Sequence, residues 1–550
     1  MWDFGDLRSV ALPKLDDRQM AELGACHLTT SRRYREGERL FEPCSVEHLF
    51  FFIKKGEVEI IDETGDVPNS IVIIGPGEFT GEVSDLAGGH PLVCAVARGD
   101  CDVYEVSIEA LRTILNDHPT LGDIIVQAFI ARRQLLRESG SFTGLRVIGS
   151  RYSRDTFRVR EFLAKNRMPF TWLDLEAAPE VETMLRQLGL SEADTPVVAW
   201  GHCKILRNPT DRQLADAAGL RPSIKATTYD LAVVGSGPAG LAAAVYAASE
   251  GLSTMVLEQS GPGGQAGRSM RIENYLGFPL GITGAELTDR ACMQANKFGA
   301  SMPVPTQVVG LTFDGPYPLL QLEGGETVAA KCMLIATGAE YRKLGVVGCE
   351  PMEGRGVYYA ATPNEISMCR GADVMVVGGG NSAGQAAVFL AGQARHVWLL
   401  IRGNDLHRNM SSYLVERLLQ TPNIELLCNS EVRCLMGEGH LTAVEVASNT
   451  TGEVRTIETP ALFSFIGAIP RVEWLPPEIE RDAKGFVLTG PDLVGSARWT
   501  PRRPPFHLET SRPGVFAAGD VRSGSVKRVA SAVGEGSMAV QFVHEYLKGM

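Results

Sequence analysis

Gly235, Gly237 and Gly240 follow the apolar run Tyr229-Asp230-Leu231-Ala232-Val233-Val234 at the spacing G-x-G-x-x-G, with Pro238 and Ala239 between the last two, and lead into the alanine-rich stretch LAAAVYAAS. A strand, a tight turn and a helix in that order bring backbone N–H groups and the positive end of a helix to one point. The first glycine makes the turn, the second lets the backbone approach a pyrophosphate, and the third lets helix and strand pack. The next apolar run, STMVLE, ends on Glu258, a carboxylate that can accept both hydroxyls of a ribose. Glycine spacing alone is weak evidence, but strand, glycines, helix and acid agree here on a dinucleotide.

A second unit of the same kind starts with ADVMVVG and runs through Gly378, Gly379, Gly380, Asn381, Ser382 and Ala383 into the helix GQAAVFLA, alanine standing for the third glycine. Its next strand, HVWLLI, is followed by Arg402, where a domain preferring NAD usually carries an acid. The Arg402 guanidinium can pair with the 2′-phosphate of NADPH, and Arg408 can add to it. The competing reading makes both arginines solvated surface charges.

The elements that must position these loops form a long chain. At 550 residues it exceeds one hydrophobic core, and 44% apolar with 21% charged residues is ordinary globular usage. A net charge of -12 disfavours nucleic acid and anionic membrane as partners. The N-terminus, MWDFGDLRSVALPKLDD, lacks a basic segment followed by an apolar run, and no stretch is apolar enough to span a membrane, so a cytoplasmic protein is expected. The 11 cysteines include no C-x-x-C and read as thiols in a reducing compartment. Residues 1–140 alternate short β-rich runs with Gly and Pro before helical patterns from Ile108 to Glu138, which predicts an antiparallel β-roll with helices behind it. Residues 143–222 alternate strands and helices as a small α/β sandwich does, and RPSIKATTYD suits a linker.

From Tyr229 onward the sequence resembles the low-molecular-weight thioredoxin reductase family. The resemblance is carried in order by GSGPAG, Glu258-Gln259, Gly263-Gly264-Gln265, Ile272-Glu273-Asn274-Tyr275, Ala336-Thr337-Gly338, Phe463 to Pro470 and Val515 to Val521, the last including Gly519 and Asp520. It implies two Rossmann-like three-layer α/β domains: FAD-binding over 228–344 and 463–550, and NADPH-binding over 345–462. It further implies FAD and NADPH as cofactors, Asp520 at the ribityl chain, Lys527, Arg528 and Val529 at the flavin ring, and a homodimer formed through the FAD domain. Relatives rotate the NADPH domain to bring nicotinamide and disulfide to the flavin in turn.

One departure bears on the chemistry. The family keeps a redox-active C-x-x-C between G-V-x-Y and the second glycine loop, whereas here Gly356-Val357-Tyr358-Tyr359 is followed by Ala360-Ala361-Thr362-Pro363. Disulfide exchange needs an attacking thiolate and a resolving thiol, which these residues lack. The transfer from NADPH to flavin needs neither. Electrons are then expected to leave for an external small-molecule or protein acceptor: a quinone, an electron-carrier protein or dioxygen. The alternatives are a flavin-based sensor read through the N-terminal modules, or a disulfide reductase using cysteines such as Cys428 and Cys434.

Residues 1–140 resemble the cyclic-nucleotide-binding domain family through Gly37-Glu38, Phe50 to Val58 and Gly77-Glu78-Phe79-Thr80-Gly81-Glu82, with Glu82 at the ribose-binding position. Where that family places an arginine after a proline, Pro91 is followed by Leu92, which argues against cyclic nucleotide binding; Arg98 is the candidate substitute. Residues 143–222 resemble the thioredoxin or glutaredoxin fold, with Thr195-Pro196 at the cis-proline position. Ser150-Arg151-Tyr152-Ser153 stands in place of the cysteine pair, so this module is expected to be redox inactive, with Cys203 structural.

Overall fold

The computed structural model describes residues 7–550 apart from 44, 46–48, 64–67, 82–89, 92, 140–144, 178–180, 182, 184, 187–188, 201–203, 223, 225–226 and 368. The first unit is a five-stranded antiparallel sheet in which Cys94–Ser107 lies between Thr30–Tyr34 and Leu49–Asp62, with Asn69–Ile74 beyond the latter. Strand alternation explains the run Phe50-Phe51-Phe52. Phe50 and Phe52 turn to one face, their rings 5.0 Å apart beside Phe79 and Phe129, and Phe51 turns to the other, against Tyr34 and Phe41. The helical pattern from Ile108 divides into Ile108–Asp117 and Pro119–Ser139, because Pro119 has no N–H with which to continue the first helix.

The second unit is a four-stranded mixed sheet in the order Thr171–Asp174, Leu145–Gly149, Val197–Trp200, Lys204–Arg207, with the first pair parallel. The helices Arg154–Lys165 and Asp211–Ala218 pack on it, and the Thr195–Pro196 peptide is cis.

The third unit has Thr228–Val234 at the centre of a parallel set, between Thr254–Leu257 and Thr327–Ile335, with Val515–Ala517 on the far side of the latter. Burial on both faces explains why these strands are continuously apolar. The helices Pro238–Ser249 and Val529–Lys548 cover one face. Alanine and glycine bring them together: a Cβ on Gly536 would lie 2.1 Å from the Ala239 carbonyl oxygen.

The fourth unit repeats the plan with five parallel strands ordered Val357–Tyr358, Ala461–Ser464, Asp373–Val377, His396–Leu400, Ile424–Leu427. The boundary expected at 463 therefore cuts a strand, since Ala461–Ser464 pairs inside this sheet. The chain leaves it only at Gly467 (φ 103), and the crossing is made by Ala468–Pro470 pairing antiparallel with Ala339–Tyr341. No described helix is long and apolar enough to cross a membrane.

Candidate functional site

The two glycine loops are built as their spacing requires. Gly235 has φ 100, and a Cβ there would meet the Ala336 carbonyl oxygen at 2.5 Å; one on Gly240 would stand 1.9 Å from the Gly235 oxygen. Gly237 differs, because its nearest neighbour would be Gly264 Cα at 3.9 Å, so it borders open space. Helix Pro238–Ser249 starts there without a side-chain cap, which leaves its first N–H groups for a ligand. In the second loop Gly378 has φ 142, a Cβ there would meet the Phe465 oxygen at 2.5 Å, and buried Ala383 packs beneath it. Gly380 leads uncapped into helix Asn381–Ala391. The Asn381 side chain accepts from Ser411 N–H at 2.8 Å, and the Ser382 hydroxyl accepts from Tyr341 at 3.0 Å.

Glu258, 8% exposed, is held by both walls of its turn. Oε2 accepts from the Ser236 N–H and hydroxyl at 3.0 and 2.7 Å, and Oε1 from the N–H groups of Ser260 and Gly261 at 2.9 and 3.3 Å. These donors keep the carboxylate fixed at the cleft wall.

A cleft of 1360 Å³ runs past both loops. Besides the glycines it is lined by Pro238, Ala239, Glu258, Gln259, Gly264, Gln265 and Asn274 from the first half of the third unit. Ala336, Thr337 and Gly338 line it where the chain departs, and the Thr337 hydroxyl donates to the Arg471 carbonyl at 2.8 Å. From the C-terminal segment come Gly519, Asp520, Lys527, Arg528 and Val529. Gly519 N–H donates to Glu535 at 2.7 Å, fixing the turn. The Lys527 ammonium donates to the Asp520 carbonyl at 2.6 Å and to Ser525 at 2.9 Å. Burial pushes the Asp520 carboxyl up and the Lys527 ammonium down from their ordinary ranges. Arg528 precedes helix Val529–Lys548, whose first turn again lacks a side-chain cap.

From the second glycine loop the cleft takes Gly378, Gly380, Asn381, Ser382 and, beyond the following strand, exposed Arg402. Gly240 and Ala383 act from beneath, and Arg408 is exposed but does not line the cleft. Sequence reasoning missed Lys165 and Arg167, which line the cleft from the small mixed-sheet unit; nothing in their local pattern relates them to a loop seventy residues away. It also read Thr362 only as part of the stretch without cysteines and passed over Glu365, although T-x-x-E is a capping signature. Glu365, 2% exposed, accepts from Thr362 N–H at 2.7 Å and from its hydroxyl.

The described cysteines are all free. Cys369 is buried, and desolvation pushes its thiol up to about 12, so it carries little thiolate at neutral pH. Cys428 and Cys434 line neither the cleft nor the smaller cavity beside it, and burial also raises the Cys428 thiol. Glu82, Leu92 and Cys203 lie outside the described residues, and Arg98 is exposed on its strand.

Residues 229–536, more than half of the chain, match the family model "Pyridine nucleotide-disulphide oxidoreductase", and the chain belongs to that family. Within it the chain is thioredoxin reductase-like. It is 31% identical over 326 residues to the thioredoxin reductase of Listeria innocua serovar 6a, covering 58% of this chain and 94% of the relative. It is 35% identical over 317 residues to that of Mycolicibacterium smegmatis, covering 58% and 96%. The structure of Lactococcus lactis thioredoxin reductase in its FR conformation aligns with a TM-score of 0.53 at 29% identity over 59% of this chain and all of that one; T. acidophilum thioredoxin reductase gives 0.52 at 30%, over 58% and 98%. Residues 31–118 match the cyclic nucleotide-binding domain model. FAD and NADPH are the cofactors of the thioredoxin reductase family. The residues present fit both: two uncapped helix starts, space at Gly237 and Gly380, and an anchored acid at the end of the second strand.

Proposed function

We propose that this protein is an NADPH-dependent FAD oxidoreductase that delivers electrons to an external acceptor rather than to a dithiol of its own. The observation that carries this reading is that both glycine loops and the uncapped start of the last helix open on one cleft, while Ala360-Ala361-Thr362-Pro363 occupies the stretch before the second loop. Bound there, NADPH and FAD supply hydride transfer from nicotinamide to flavin.

The chain's own residues bind and orient. Glu258 accepts the hydroxyls of the adenosine ribose, Gly237 leaves room for the pyrophosphate, and Asp520 stands at the ribityl chain. The N-terminus of Val529–Lys548, with Lys527 beside it, places positive potential at the pyrimidine edge and so favours the reduced, anionic flavin. Arg402 takes the 2′-phosphate and with it the preference for NADPH over NADH.

The acceptor is a quinone, an electron-carrier protein or dioxygen. We read residues 143–222 as a thioredoxin-like module on their strand order, and as redox inactive because Ser150-Arg151-Tyr152-Ser153 replaces a cysteine pair. A cytoplasmic homodimer without cyclic nucleotide completes the reading. Steady-state NADPH oxidation with a panel of quinones, carrier proteins, dioxygen and thioredoxin tests it. Turnover with one of the first three and none with thioredoxin is expected. Rapid thioredoxin reduction would restore a disulfide mechanism through other cysteines, and flavin reduction without turnover on any acceptor would favour a sensor.

A further inference from the structure

Helix Arg154–Lys165 belongs to the small mixed-sheet unit, yet it and the residues flanking it touch both dinucleotide units. On the FAD side, Glu161 pairs with Arg268 at 2.6 Å. Just past the helix, the Asn166 amide donates to the Ser260 carbonyl at 2.8 Å, and Arg167 donates to Asp289 and Thr288 at 2.6 and 3.1 Å. The approach is so close that a Cβ on Gly261 would stand 2.7 Å from that of Lys165. On the NADPH side, the Phe157 ring meets that of Tyr358 with centroids 5.8 Å apart. Arg160, 3% exposed and stacked on Trp172 of its own unit, donates to Ser367 at 3.1 Å and to the Asn364 carbonyl at 3.4 Å. Before the helix, the Tyr152 ring lies 4.6 Å from that of His440.

An α-helix is a stiff rod, since each turn is closed by its own hydrogen bonds. Two contact sets on one rod fix the angle between the bodies they hold, and a rotation of either body against the other must break at least one of those sets. We propose that Arg154–Lys165 is an internal strut that locks the NADPH unit in the orientation in which both glycine loops share the cleft, so that this protein works without the domain rotation of its relatives. This rests on the reading of the cleft as the FAD and NADPH site. Ala360 and Ala361, which stand where the relatives carry their dithiol, are 5% and 8% exposed in this orientation and line a smaller cavity. A separate cavity of 270 Å³ between the two units shares Gln265, Tyr341 and Phe465 with the cleft, so an acceptor has a way in with the units held as they are.

The test is to lock the contact chemically. In the full-length holoprotein carrying Tyr152→Cys and His440→Cys, dibromobimane becomes fluorescent only when it bridges two thiols, with the parent chain as background. Near-complete bridging, with and without NADPH, and turnover of the bridged protein within about twofold of the unbridged are expected. A low bridging yield, or retained flavin reduction with lost turnover, overturns the strut. Phe157→Glu gives an independent reading: amide exchange across residues 353–367 should rise while FAD content holds, and unchanged exchange counts against the proposal. If the unbridged protein is not reduced by NADPH at all, the functional reading fails, while bridging yield and exchange still judge the strut.

Discussion

Glu258 accepts N–H groups from two separate loops, so its carboxylate is fixed before any ligand arrives, and a ribose hydroxyl takes the place of the rotatable Ser236 hydroxyl on Oε2. Replacing it by alanine removes charged hydrogen bonds worth about 1.5–3 kcal/mol each. Glu258→Ala is therefore expected to weaken FAD binding by roughly tenfold to a hundredfold, measured as the flavin-to-protein ratio after purification and by fluorescence titration of apoprotein. Arg402 is exposed at the cleft and makes no hydrogen bond among the described residues, so its replacement leaves the fold intact. Arg402→Ala should raise KM for NADPH by about tenfold, through one lost charge-assisted contact, with little change in kcat or in KM for NADH. A matching rise for NADH would assign Arg402 no role in choosing between the coenzymes.

At the scale of elements, the glycines separate structure from binding. In Gly240→Ala the added Cβ collides with the Gly235 carbonyl, and the helix must move off its strand; a loss of about 1–3 kcal/mol in stability is expected, read as a lower Tm of apoprotein. In Gly237→Ala the Cβ meets nothing closer than 3.9 Å, so apoprotein Tm should hold while FAD binding is lost, because the methyl takes the pyrophosphate's space. Equal Tm losses in the two variants would contradict these separate roles. Much of this was legible in the sequence, since a strand, a glycine turn and a helix are local features with a fixed period. The strand Ala461–Ser464 was placed across a boundary because FSFIGAIP is continuously apolar, and the crossing between sheets is marked only by Gly467. Lys165 and Arg167 were not legible at all, because their place at the cleft comes from how two units dock.

At the scale of the molecule, four units are joined by specific contacts. His90 of the first unit donates its backbone N–H to the Ala218 carbonyl at 3.0 Å, and Asn116 donates to the Lys297 carbonyl at 3.0 Å. Leu276 and Leu280, 94% and 61% exposed, form an apolar tip on the FAD unit that suits a subunit contact. Sedimentation should show a dimer that Leu276→Asp with Leu280→Asp converts to monomer; an unchanged dimer would move the interface elsewhere. The central claim is that NADPH reduces a bound flavin with no dithiol beside it. Anaerobic titration of the purified protein with NADPH, followed through the visible flavin band, tests it most directly. Full bleaching by one equivalent of NADPH per FAD is predicted, since no disulfide takes up a second electron pair. A requirement for two equivalents, or a colourless protein that takes up no FAD, would contradict it.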